Sequence, residues 1–158
     1  MNSIDFVNIG ISTILLYSTI ISIVYGIQPS LSQSFYTTDK RPYFTLTLMT
    51  TSFLLMIGLA PNWWFVLGSF CLGIVGVAAN YKWEKWIAKG IHFTFVILAI
   101  LLFIIGFTII NKYIGITLLF AIVIPTLILR NIKNSLFWIE MMIIIVIATY
   151  INVFKTLL

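Results

Sequence analysis

The sequence predicts an all-α integral membrane protein: one transmembrane domain over residues 1–158, with six spans and both termini on the non-cytoplasmic side. Three observations carry this. First, 61% of the residues are hydrophobic and only 8% are charged, with a mean hydropathy of +1.14. Soluble domains carry roughly 25% charged residues, so this chain cannot cover a water-facing surface. Second, the apolar residues fall in runs of spanning length, and at about 20 residues per span the length leaves room for about six spans and no soluble domain. Third, the basic residues flank the apolar runs and do not form one charged face. That excludes a nucleic-acid-binding module, despite the net charge of +5.

The first span is read as residues 4–27. Its start, Met-Asn-Ser-Ile-Asp, lacks the positive charge of a secretory signal, and no small-residue cleavage site follows, so it is expected to be retained. Ser18, Ser22 and Tyr25 share one face by helical periodicity, and that polar face is expected to turn inward. Gln28-Pro29 ends the helix, because proline removes a donor and disfavours a helical residue before it. The hydroxyl-rich loop that follows closes with Asp39, Lys40 and Arg41.

The second span, 43–60, starts just after Pro42, a position where proline is tolerated. It carries Thr45, Thr47, Thr50 and Thr51, whose hydroxyls can bond back to their own helix or across to a neighbour. Pro61-Asn62 turns the chain, and Trp63 and Trp64 stand where an interfacial aromatic belt belongs. The third span, 65–80, has a stripe of Ser69, Gly73, Gly76 and Asn80. Small residues let helices approach closely in lipid, so this helix is placed centrally, and Ser69, Gly73 and Gly76 are also a candidate self-association face. Residues 81–89 are read as a loop or interfacial turn anchored by Trp83 and Trp86. The remaining spans are 90–110, 113–129 and 136–154. Pro125 interrupts the fifth and frees the carbonyl of Ala121. No internal repeat recurs between the halves, and no low-complexity segment or linker divides the chain.

Six spans place Lys40, Arg41, Lys82, Lys85, Lys89, Arg130 and Lys133 on one side, with Lys112 and Lys155 on the other. Cytoplasmic loops carry the Lys/Arg excess, which makes the first side cytoplasmic. A bacterial inner membrane is the first expectation; a viral or organellar membrane is the alternative. Cys71, the single cysteine, excludes an intramolecular disulfide.

Ionisable groups inside a span are functional candidates by default. Two qualify: His92, near the start of the fourth span, and Glu140, near the start of the sixth. With Ser22, Tyr25, Ser34 and Asn80 they form the candidate ligand-binding set. Glu140 and His92 are the catalytic candidates, as base and partner, and also the candidate ligands for a metal, with the cofactor left open. The plainer reading is a hydrogen-bonded histidine at a helix end and a carboxylate paired with Lys89, Arg130 or Lys133. The sequence has no phosphate loop, paired-cysteine site, two-histidine zinc motif, haem-ligand pair, in-span lysine for a Schiff base or ladder of acids for a proton relay.

The strings Pro29-Ser30-Leu31-Ser32-Gln33-Ser34-Phe35-Tyr36, Phe44-Thr45, Lys89-Gly90-Ile91-His92 and Phe137-Trp138-Ile139-Glu140 resemble a pattern in small membrane proteins of bacteria and their phages. Those proteins look distantly like the superfamily of alkaline ceramidases and adiponectin-type receptors. The likeness covers most of the chain. It implies that superfamily's seven-helix bundle without its first helix, and a polar pocket at the cytoplasmic face. The superfamily holds zinc there with three histidines, a serine and an aspartate. This chain has one histidine, and Glu140 stands about where a histidine of the last helix would be.

Three functions remain open on these grounds. The leading one is a lipid- or small-ligand-binding pocket open to the cytoplasmic leaflet, non-catalytic or, if catalytic, lipid-hydrolase-like. The second is a non-catalytic accessory subunit of a larger membrane assembly. The third is a minimal transporter. Membrane lipids, other membrane subunits and a second copy are the expected partners.

Overall fold

The computed structural model describes residues 2–31, 42–60, 62–78 and 85–154. Among them it is all-helical: α1 (Ser3–Tyr25), α2 (Pro42–Leu59), α3 (Trp63–Ala78), α4 (Lys85–Ile110), α5 (Lys112–Leu129) and α6 (Ser135–Val153). Five stretches are long and apolar enough to cross a membrane, namely Ser3–Tyr25, Pro42–Leu59, Gly90–Ile110, Lys112–Leu129 and Ser135–Val153. The lengths and composition are those of an integral membrane protein. α3 is equally apolar but has 16 residues, which is about 24 Å of helix.

The helix ends follow local chemistry. Asp5 accepts the Asn2 backbone N–H at 2.7 Å and opens α1. Asn62 accepts from Trp64 N at 3.2 Å, and Asn111 from Tyr113 N at 2.9 Å, capping α3 and α5. α4 begins at Lys85, not at residue 90. Nothing between Lys85 and Lys89 stops a helix, and Gly90 is tolerated within it. α5 runs on through Pro125, and the Thr126 hydroxyl bonds the Ile122 carbonyl at 2.7 Å.

Each helix packs on its neighbours in chain order, and α6 returns to α1, so the six close a ring. The seams of the first half rest on glycine. In α1–α2, a Cβ on Gly58 would lie 2.6 Å from Val7 Cγ2, and one on Gly10 3.2 Å from Leu54 Cβ. In α3–α4 the fit is reciprocal: Phe65 lies over Gly106, and Phe103 over Gly68. These pairings run in opposite directions along the chain, so the neighbours are antiparallel. Hydroxyls of α2 bond to both sides: Thr51 to the Gly10 carbonyl (3.0 Å), Thr45 to the Gly76 carbonyl (2.9 Å) and Ser52 to the Ser69 carbonyl (2.6 Å). In lipid, where burying apolar surface gives little drive, such close contacts and bonds are what hold helices together.

The stripe on α3 is thus filled by α2. Ser69 is fully buried, Gly73 faces the Ser52 hydroxyl and Gly76 faces Leu48. Two apolar clusters stack along the ring. One, at the end nearer the termini, centres on Phe65, Phe107, Leu118 and Ile151; the other, at the opposite end, centres on Tyr17, Phe44, Val75 and Phe137. Exposed Trp and Tyr residues lie at both ends: Trp63, Trp64 and Tyr113 at the first, Tyr25, Tyr43 and Trp138 at the second.

Candidate functional site

A cavity of about 140 Å³ runs between the two clusters. α1, α2, α3, α4 and α6 line it, together with Leu31; α5 contributes no residue. On α4 the lining runs from His92 to Phe103, and on α6 from Glu140 to Ile151. Twelve residues of helix in each case, eleven rises, give a length of roughly 16 Å. The space exists because small side chains, Ala99 and Ala148, stand among the aromatic and branched ones. An apolar cavity of about 150 Å³ stays dry and takes an apolar guest, so this volume is ligand-sized.

Among the described residues, three lining side chains are polar: Thr51, His92 and Glu140. The Thr51 hydroxyl is committed to the Gly10 carbonyl. The His92 ring meets Phe93 edge-on at 5.8 Å. Glu140 Oε2 accepts the backbone N–H of Leu31 at 2.5 Å. A carboxylate bonded to a backbone N–H makes a short, charge-assisted contact, stronger than a neutral one.

That contact belongs to a strap. After α1 ends, residues 27–31 lie across the start of α6. Asn134 Nδ2 donates to the Ile27 carbonyl (2.9 Å), Phe137 N to the Pro29 carbonyl (3.2 Å) and Leu31 N to Glu140. Asn134 has positive φ and does not cap α6 with its side chain, which reaches the strap instead. Gln28 turns its amide back on the Tyr25 and Gly26 carbonyls at 3.0 and 3.1 Å, closing the end of α1. Gln28, Ser30 and Leu31 are all buried, and Leu31 forms part of the cavity wall.

Of the ligand-binding set expected from the sequence, His92 and Glu140 line this one cavity. Ser22 and Tyr25 do not. The Ser22 hydroxyl bonds the Ser18 carbonyl of its own helix at 2.8 Å, and Tyr25 is 41% exposed. Ser34 and Asn80 lie outside the described residues, as does the side chain of Lys89. Leu31, Thr51 and Ala99 were not singled out by sequence. Leu31 could not be, because its partner is 109 residues away. Ala99 could have been, as a small residue in a run of large ones.

The zinc site implied by the resemblance does not assemble from the described residues. No three His, Cys, Asp or Glu side chains gather among them, whereas a catalytic zinc takes three protein ligands. What the arrangement offers is an apolar channel with a carboxylate and an imidazole at one end. That defines a class: an all-helical, membrane-type protein with an internal apolar cavity. No family model, curated protein or solved structure matches the chain.

Proposed function

We propose that this protein spans the membrane six times and binds one unbranched apolar ligand, a lipid chain or a molecule like one, in the cavity. The cavity itself carries the reading. Its lining extends about 16 Å along α4 and α6 by helix rise, and among the described residues it is apolar except for Thr51, already bonded to Gly10, and for His92 and Glu140 near one end. Such a lining suits an apolar chain with a small polar head. Exposed Trp and Tyr at both ends of the ring support the spanning arrangement, since these residues favour the two membrane interfaces. In that arrangement α3 crosses too, supported on either side by α2 and α4. The basic residues flanking the Glu140 end make that end cytoplasmic, so the termini lie on the far side. Neither Pro125 nor Cys71 lines the cavity, which weighs against a transport path through them.

The test is native mass spectrometry of the protein released from mild detergent. A retained mass matching a single-chain lipid is expected in the unaltered protein. It should be lost in Ala99→Phe, which fills the middle of the channel, and weakened in His92→Ala. A bare protein, or a mass indifferent to Ala99→Phe, would reject ligand binding; stoichiometric recovery with other chains would favour the accessory-subunit reading.

A further inference from the structure

We infer that the outer side of the α1–α6 seam docks a second copy of this chain, the same way round in the membrane, with Asn8 of each copy bonded to Asn152 of the other. The inference goes beyond ligand binding and rests on the spanning arrangement above. Leu15 of α1 and a face of α6 that includes Ala148, Thr149 and Asn152 line a groove along this seam. The groove turns outward, since Ile145 and Val153 in its wall are 51% and 63% exposed. On α1 the Leu15 face continues through Ser12 and Asn8 by helical periodicity, and both are exposed. Among the described helices, Asn8 and Asn152 are the two carboxamide side chains. They come from opposite ends of the chain, yet the fold sets both on this face. Each follows a member of one apolar cluster, Val7 and Ile151, so the two stand at similar depth. Among the described residues, the Asn8 side chain makes no hydrogen bond, and Asn152 makes one, from Nδ2 to the Ala148 carbonyl at 3.0 Å. An amide turned to lipid with unmade bonds is costly, and asparagine joins helices across membrane interfaces. A second copy supplies the missing partners. A two-fold axis along the membrane normal sets α1 of each copy against α6 of the other at equal depth. A carboxamide both donates and accepts, so Asn8 and Asn152 complement one another, and the axis makes that pair twice. Ser12 and Ala148 are small enough to let the helices approach. The exposed residues Ile116, Phe120, Ile124 and Ile128 of α5 are apolar and suit lipid instead.

The experiment is energy transfer between full chains labelled at the N-terminus with donor or acceptor dye, in phosphatidylcholine vesicles over a series of protein-to-lipid ratios. The unaltered protein should show the saturable transfer of a dimer. A polar contact between membrane helices is worth about threefold on average, so Asn8→Leu and Asn152→Leu, each of which removes both pairs, should each weaken association about eightfold. The double variant should be no weaker than either single one, because the two residues are each other's partners. Phe120→Ala, on the α5 face, is the control and should associate as the unaltered protein does. Absent transfer in the unaltered protein, transfer unmoved by either asparagine change, additive losses in the double variant, or an equal loss in Phe120→Ala overturns the dimer. So does native mass spectrometry that finds single copies holding a lipid or another protein that Asn152→Leu releases. These outcomes leave the spanning arrangement standing; protein that fails to float with the vesicles overturns that arrangement and the dimer with it.

Discussion

The same substitution, glycine to alanine, should have opposite effects at two positions of this fold. At Gly58 a new Cβ would sit 2.6 Å from Val7 Cγ2, 2.7 Å from the Ser3 carbonyl oxygen and 3.1 Å from Val7 N. Val7 is fully buried, and two of the three contacts are backbone atoms of α1, so no side-chain rotation relieves them. α1 and α2 must separate. Overpacking of this kind costs about 1–3 kcal/mol, and a backbone clash belongs near the top of that range. Alanine returns about 1 kcal/mol in helix propensity, so Gly58→Ala should lose roughly 2 kcal/mol. At Gly90, within α4, nothing lies within 4 Å of the new Cβ. Only the propensity gain applies, so Gly90→Ala should gain up to about 1 kcal/mol. Reversible unfolding in mixed dodecyl sulfate and maltoside micelles would read both. The reasoning fails if Gly58→Ala is as stable as the unaltered protein, because the α1–α2 seam would then not rest on that glycine.

Other outcomes follow from the same packing. Ser52→Ala removes the bond to the Ser69 carbonyl and should cost about 0.6 kcal/mol, and no more than about 1.7, in the same unfolding assay. Asn111→Ala removes the cap of α5 and should cost about 1 kcal/mol, whereas Asn111→Asp should keep most of it. Gly106→Ala drives a Cβ to 2.6 Å from the Phe65 ring; pairing it with Phe65→Leu should recover part of the lost stability, and a double-mutant cycle would detect the coupling.

Hydropathy alone made the long apolar helices legible, because burying backbone in lipid leaves few alternatives to a helix. Their exact ends were less so. The start of α4 at Lys85 was hidden, since charge and tryptophan suggest an interface but do not stop a helix. Periodicity placed Ser18 and Ser22 on one face correctly as geometry, yet it could not say where their hydroxyls would bond. Both are satisfied within α1, at Leu15 and Ser18. The stripe of Ser69, Gly73 and Gly76 announced a close contact without naming α2 as the partner. The strap was illegible for a different reason. Its bonds join residues more than 100 positions apart, and nothing local in Ile27 or Leu31 points to α6.

Ring closure has a consequence for how such a chain is made. α1, α2 and α3 are joined to one another by hydroxyl bonds and glycine contacts, so these contacts can form as soon as α3 has been made. The roof over the cavity is different: its anchor points are on α6, the helix synthesised last. Until α6 arrives, Ile27, Pro29 and Leu31 lack the partners they have in the finished fold: Asn134, Phe137 and Glu140. These bonds can therefore form only once the last helix has been made, although residues 27–31 are among the first.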